Sequence, residues 1–399
     1  MAVQENIDDT LDAVDAPAPD SDTKPDSPAK LTSASWKYAV KRSGQEFLAD
    51  GGTDLAAMLT YFTVLSLAPS MLAVFSLLSL VLASNAGAVT TLAEDFTTTY
   101  VPTDYQDLVI DLIDTITVST TGGIVALIIG VATALWSASA YVKAFSCSTN
   151  TIYERAEGRG LITLTGTMLA TTLVLLLGIV LILICLVLNE TVVSGLLGPV
   201  AASFGLGGVL DFLMGTFLPV WAWVKWPVIL VLLVLLIAVL YYFTPNVRQP
   251  KFRWVSLGSI VAIIGIAAAA GLLYLYFSYL GGYSSYGTIG GVMALLFTLW
   301  VFNIVLLLGV EIDAEVERAR QLQGDIAAED NIQLPPRDTA KVEKQQKIRE
   351  RLESQGRELR ATHNQDSHAA TSEKADDPQD HDAPVPDDRG SSGSTAHRP

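Results

Sequence analysis

The sequence predicts an all-α integral membrane protein of six transmembrane helices, with both termini cytoplasmic and polar, disordered tails. Two observations predict it. Residues 43–142, 160–224 and 254–317 contain no Lys or Arg, and each of these stretches holds two long apolar runs around an uncharged or acidic connector. The basic residues gather in the gaps between them, at Lys143/Arg155/Arg159, Arg248/Lys251/Arg253 and Arg318/Arg320. Basic residues concentrate on the cytoplasmic side of membrane proteins, so the alternation counts three hairpins. The net charge of -16 belongs to the two polar ends of a chain whose mean hydropathy is +0.41.

Residues 1–35 are rich in Asp, Pro, Ala and Ser and read as a disordered acidic tail. They lack the basic and apolar regions of a signal peptide, so the first span is read as uncleaved. The membrane domain runs from 36 to 317. Lys37, Lys41 and Arg42 beside Trp36 and Tyr38 suit an interfacial helix over 36–52. A hydrocarbon core of ~30 Å needs roughly 20 apolar residues per helix. The spans are placed at 55–83, 122–146, 161–188, 224–243, 255–280 and 288–312. Pro69 is a structural residue expected to kink the first of them.

The first external connector carries Asp104, Asp107, Asp111 and Asp114 on one helical face and Leu108, Leu112 and Ile116 on another, which predicts an amphipathic helix near 104–117. Trp221, Trp223 and Trp226 read as an interfacial belt, with Lys225 snorkelling to headgroups. Beyond the last span, 318–399 is polar and largely disordered, with a solvent-exposed helix at 340–360. The two cysteines give no disulfide framework.

All four histidines (His363, His368, His381 and His397) lie in the C-terminal tail. Zinc hydrolases and serine-histidine intramembrane proteases therefore lack their essential residue, and no Walker loop is present. Asp54 and Asp313 sit at span ends, which disfavours an aspartyl protease. The chain is read as no enzyme, with no metal, no cofactor and no catalytic residues. The basic clusters are small and explained by topology, so no nucleic-acid partner is expected.

Two groups of residues are left as candidate sites. Asp54, Lys143, Asn150, Tyr153, Glu157, Arg159 and Glu311 map to the cytoplasmic side as a polar cluster, where ionisable groups near the bilayer are costly. Ordinary helix-end charge is the competing explanation. Tyr283, Tyr286, Gly287, Gly290 and Gly291 map to the outer side as a gate or lining, with packing and an interfacial belt as the alternative. Trp136 and Trp300 join Pro69 as structural residues.

Four ordered blocks resemble the YihY/virulence factor BrkB family: DLAAMLTYFTVLSLAPSML from Asp54, LWSASAYVKAFSCSTNTIYERAEGR from Leu135, YYFTPN with FRWVSLG between Tyr241 and Gly258, and YSSYGTIGGVMALLFTLWVFNIVLLLGVEIDAE from Tyr283. The matching positions include Trp136, Ser139, Asn150, Tyr153, Glu157, Arg159, Trp300, Gly309 and Glu311. Ala68 departs from the aromatic that usually precedes Pro69, and Leu257 from a Pro that often precedes Gly258. The resemblance implies a six-helix protein of the bacterial cytoplasmic (plasma) membrane, whose members have carried the labels ribonuclease BN and virulence factor. A nuclease is at odds with the absence of metal ligands and intramembrane histidine. Transport or translocation of a small molecule, lipid or envelope component is the expected function. The alternative is a non-transporting envelope scaffold. The bilayer, a homo-oligomer or envelope partners, and an unidentified small-molecule or lipid substrate are the expected partners.

Overall fold

The computed structural model describes residues 2–81, 97–98, 106, 110, 123–188, 193, 207–250, 256–279 and 287–375. The described residues are helical throughout, apart from connectors and one isolated bridge between Val247 and Pro336. The helices are α1 (Ala2–Asp12), α2 (Ser33–Ala49), α3 (Gly52–Val81), α4 (Gly123–Ile152), α5 (Leu161–Val187), α6 (Gly207–Phe212), α7 (Leu218–Phe243), α8 (Leu257–Tyr279), α9 (Gly287–Gln323) and α10 (Ala340–Ala375). A five-residue π-helical segment, Leu213–Phe217, joins α6 to α7.

Among the described residues, four helices are long and apolar enough to cross a membrane: Leu161–Val187, Leu210–Phe243, Leu257–Tyr279 and Gly290–Gln323. Their composition explains why water is not their solvent. On α5 the large apolar residues Leu161, Ile162, Leu173, Val174, Leu177 and Leu181 all stay exposed, while Met168, Leu176 and Val180 are buried. A helix apolar around its whole circumference needs a hydrocarbon surround. The stretches read as the first and second spans are helical as α3 and α4, with Pro69 inside α3. The external helix expected near 104–117, apart from Gln106 and Ile110, and Tyr283 and Tyr286 lie outside the described residues.

α9 has 37 residues, about 55 Å at 1.5 Å per residue, well beyond the ~30 Å of a hydrocarbon core. Its last turns carry Glu311, Asp313, Glu315, Glu317, Arg318 and Arg320, and they form the spine of a polar end. α2 runs antiparallel along this spine. Thr32 donates its N–H to Gln323 at 3.0 Å, Arg42 meets Glu315 at 3.4 Å, and Trp300 Nε1 donates to the Thr53 carbonyl at 3.0 Å. Ala39, Ser43 and Phe47 of α2 are buried, and Ala39 packs with Val316 and Ala319. The helix expected to lie on the membrane surface is thus docked on α9, because small residues on one face of α2 allow close approach.

The tails also differ from their compositional reading. Ile7, Thr10, Ala13, Lys24 and Leu31 are buried. Thr10 accepts from Ala156 N at 2.7 Å, and Asp9 accepts from Asn331 at 3.0 Å. On the other side of the chain, residues 325–339 form a strap across the polar end, burying Ala328, Ile332 and Leu334. Few apolar residues suffice because each inserts between helix ends that already lie close together. The residues through Glu343 make one compact unit; from Lys344 the rest of α10 belongs to a second, and its described side chains are mostly exposed.

Three turns at the polar end use the left-handed backbone region: Gly51 after α2 (φ 67°), Glu154 after α4 (φ 54°) and Asp325 after α9 (φ 59°). Arg155 N bonds back to the Asn150 carbonyl at 2.9 Å and Ile326 N to the Gln321 carbonyl at 3.0 Å. Both are the six-to-one bond that closes a helix in a Schellman turn.

Candidate functional site

The polar end contains three adjoining groups. The first is a knot around Arg159. Its guanidinium grips Glu157 through two parallel bonds, Nε to Oε1 at 2.8 Å and Nη2 to Oε2 at 2.7 Å. It also donates to the Thr244 carbonyl at 2.7 Å and to Ser146 Oγ at 3.0 Å. Asn150 Nδ2 donates to Glu157 Oε2 at 3.0 Å, while its Oδ1 accepts from Asn246 N at 2.7 Å. Asn246 in turn donates to the carbonyls of Ala156 and Asp338, each at 3.0 Å. The knot therefore joins α4, the α4–α5 connector, the end of α7 and the strap. A forked guanidinium is suited to this, since it can meet a carboxylate and helix-end carbonyls at once.

Gly158 is required by that junction: a Cβ there would overlap the Asp338 carbonyl oxygen and stand 2.6 Å from its carbon. Arg155 is buried and donates to the carbonyls of Glu154, at 2.8 Å, and of Leu334, at 3.3 Å, as well as to that of Ile332. Burial holds its guanidinium below the usual arginine range, against the opposing pull of Glu154 and Asp9. Arg337 bonds the Val247 and Tyr242 carbonyls at 2.8 and 2.5 Å and stacks 4.9 Å from the Tyr242 ring centre. These contacts fix the strap to the helix ends.

The second group is a cavity of about 280 Å³ where α7, α8 and α9 meet. Tyr153, Tyr241, Gln249, Ser256, Asp313 and Arg320 contribute polar lining, and Leu257, Ile260 and Leu334 apolar lining. Gln249 donates to Tyr153 Oη at 3.3 Å, and Tyr241 donates to the Leu306 carbonyl at 2.5 Å. Burial pushes the Tyr153 hydroxyl well above its ordinary range, with Asp313, Glu317 and Glu311 adding to the effect. Asp313 accepts from Gly258 N at 2.7 Å. It thereby caps the start of α8, where free N–H groups favour a carboxylate. α8 and α9 touch closely here: a Cβ on Gly258 would overlap the Gly309 carbonyl oxygen. Glu317, beside the cavity, pairs with both Lys24 and Arg320.

The third group lies between α2 and α9. Arg42 pairs with Glu46 at 3.0 Å and with Glu315, and Arg318 pairs with Glu315 at 3.0 Å and with Glu154 at 2.6 Å. Glu154 Oε2 also accepts from Ile332 N at 3.0 Å, which explains a left-handed turn at a residue other than glycine. Asp50 is pushed up to about 7 by burial first, then by Glu46, Glu154 and Glu315, against the opposing Arg318. Glu311 is 1% exposed, and its Oε2 has no hydrogen-bond partner.

The seven residues expected to cluster are thus divided. Asn150, Glu157 and Arg159 come together in the knot, Tyr153 lines the cavity, and Glu311 belongs to the α2–α9 seam. Asp54 is exposed in the first turn of α3. Lys143 lies 5.2 Å from the ring centre of Trp136, which is itself 58% exposed and so packs on the outside of the bundle. Trp300 does pack against the core, and Asn303 bonds Tyr141 at 3.1 Å and Thr60 at 3.2 Å. Gly287, Gly290 and Gly291 stand in the first turns of α9, with Gly291 buried. Sequence reasoning missed Asp50, Glu46, Arg42, Asn246 and the strap. Trp300, Asn303, Leu307, Glu311, Ala314 and Arg318 recur at helical spacing on α9, and that stripe is the signal that α2 and α3 pack there.

Residues 43–332 match the profile of the virulence factor BrkB family. The ribonuclease-like protein YfkH of Bacillus subtilis (strain 168) is 28% identical over 272 residues, which span 68% of this chain and 92% of that protein. No solved structure matches the chain.

Proposed function

The chain belongs to the virulence factor BrkB family, and on that premise we propose that it is a six-span protein of the bacterial plasma membrane that moves a small molecule, a lipid or an envelope component across the bilayer. Both termini are assigned to the cytoplasmic side, where the basic connectors lie. The polar end described above is then the cytoplasmic end. The observation that carries the transport reading is the cavity of about 280 Å³ between α7, α8 and α9. Membrane transporters place their sites between helices where polar groups converge, and a bundle with no passage to offer has little reason to keep space there. Tyr283, Tyr286, Gly287, Gly290 and Gly291 remain the proposed gate or lining on the opposite side.

The test is flux in proteoliposomes across a panel of solutes and labelled lipids. Leu257→Trp, which fills the cavity, is expected to abolish any flux the wild type shows. Flux unchanged by Leu257→Trp would remove the cavity from the mechanism, and no flux with any candidate would remove transport.

A second reading, an envelope scaffold, is supported by α10, whose polar, exposed residues from Lys344 form a unit of their own. Deleting 344–399 separates the readings: loss of the cellular phenotype with the bundle still inserted favours a scaffold. The name of the Bacillus subtilis relative offers a nuclease reading, which we rank below both because every histidine lies at or beyond position 363.

A further inference from the structure

The seam between α2 and α9 has more acid than base. Five carboxyls gather there: Glu46 on α2, Asp50 at the α2–α3 turn, Glu154 after α4, and Glu311 and Glu315 on α9. Arg42 and Arg318 oppose them, and their ion pairs go to Glu46, Glu315 and Glu154. Neither Glu311 nor Asp50 has an ion-pair partner among the described residues. Glu311 is 1% exposed and Oε2 accepts no hydrogen bond. The charged groups that reach it are Asp50, Glu315 and Glu46, with Arg318 opposed. Asp54 on α3 is exposed, and Asp313 is turned to Gly258, so neither changes this balance.

An ionised carboxylate in that setting would have lost most of its hydration and gained no partner at Oε2, with Glu315 one turn further along the same helix. Such a group stays neutral instead. A bound metal ion is the other way to offset the charge, but among the described residues no group of three or more acidic, His or Cys side chains is arranged to hold one. We propose that Glu311 is a proton-binding site, protonated while α2 is docked on α9 and able to release its proton only when water enters that seam. Asp50 is half-buried at the mouth of the seam and is the acceptor on the way out: the proton leaves the Glu311 carboxyl, which becomes a carboxylate, and adds to the Asp50 carboxylate. The Asp50 affinity near neutral pH suits that role. Release leaves a bare charge on α9 facing α2, so the protonation state and the docking of α2 are linked. The proposal stands whether or not the cavity carries a substrate.

Infrared difference spectroscopy of the full chain in phospholipid nanodiscs, between about pH 5 and 9, tests it. Asp50 itself holds a proton near neutral pH, so the comparison is made in the Asp50→Asn chain: there the carbonyl stretch of a protonated carboxyl should persist to neutral pH and be lost when Glu311→Gln is added. In Asp50→Asn, which removes a like charge, the band should titrate at lower pH. Absence of the band from Asp50→Asn at neutral pH overturns the proposal, as does its survival when Glu311→Gln is added. Should Glu311→Gln not accumulate, the Asp50→Asn profile decides, and one superimposed on the wild type overturns it.

Discussion

Replacing Arg159 by alanine should cost the bundle several times more stability than truncating an exposed charged side chain. The guanidinium is 4% exposed and its partner Glu157 18% exposed. Alanine leaves the Glu157 carboxylate with Asn150, the residue 159 backbone N–H and a long contact from Ser146 at 3.5 Å as donors, and leaves the Thr244 and Phe243 carbonyls without their guanidinium partner. Removing one member of a buried pair costs about 3–5 kcal/mol, most of it from the charge left behind. At roughly 1.4 kcal/mol per tenfold change, that shifts the unfolding equilibrium by about two to three and a half orders of magnitude. Arg159→Lys keeps the charge but loses the fork, and should fall between the two. Glu157→Gln combined with Arg159→Met removes both charges and should recover part of the loss. The assay is thermal or denaturant unfolding of the purified chain in one detergent, for all variants together. An Arg159→Ala change within about 1 kcal/mol of wild type, the size of an exposed pair, would refute the description of the knot as a buried lock.

Other consequences are open to the same measurement. Gly258→Ala should destabilise by about 1–3 kcal/mol, since its methyl meets the Gly309 carbonyl and α8 must move off α9. Asp50→Asn should flatten the pH dependence of stability. Because the folded carboxyl binds its proton up to about 7, its contribution is fully present below about pH 4, the unfolded value, and is lost as pH rises through 7. Wild-type melting temperature should therefore fall across that window more steeply than that of Asp50→Asn, and parallel slopes would contradict it. Asn303→Leu should lower stability by about 1–3 kcal/mol through the unpaired Tyr141 hydroxyl and the lost donor to Thr60, which keeps its bond to the Ala56 carbonyl. Deleting 344–399 should leave the melting temperature of the rest unchanged, whereas deleting 325–399 removes Ile332, Leu334 and Arg337 from the polar end and should lower it.

The alternation of basic and apolar residues led to the four helices that are long and apolar enough to cross a membrane, α5, α7, α8 and α9, because a span needs little more than length and apolarity. It was less informative about the polar end. Residues 1–35 and 325–339 are polar in composition, yet Ile7, Leu31, Ile332 and Leu334 are buried there. Sparse anchors of this kind carry no periodic signal, since each fits a gap defined by distant helix ends. Glu157 and Arg159 were both placed in the polar cluster from the sequence, but not as a pair. Glu311 and Asp50 were not legible as a pair either, because their proximity depends on α2 running back along α9. That docking leaves no trace in composition: α2 reads as a basic, amphipathic surface helix until the small residues Ala39 and Ser43 are seen to face α9.

The transport reading is tested most directly by whether the cavity can be reached from both sides of the membrane. Ser256 lines it, so Ser256→Cys in a chain with Cys147 and Cys185 replaced gives a single reporter. Labelling with a membrane-impermeant maleimide is compared in right-side-out and inverted vesicles. The account predicts reaction from the cytoplasmic side at rest, and reaction from the outer side that rises when a translocated solute is present. Reactivity confined to the cytoplasmic side under every condition would contradict it.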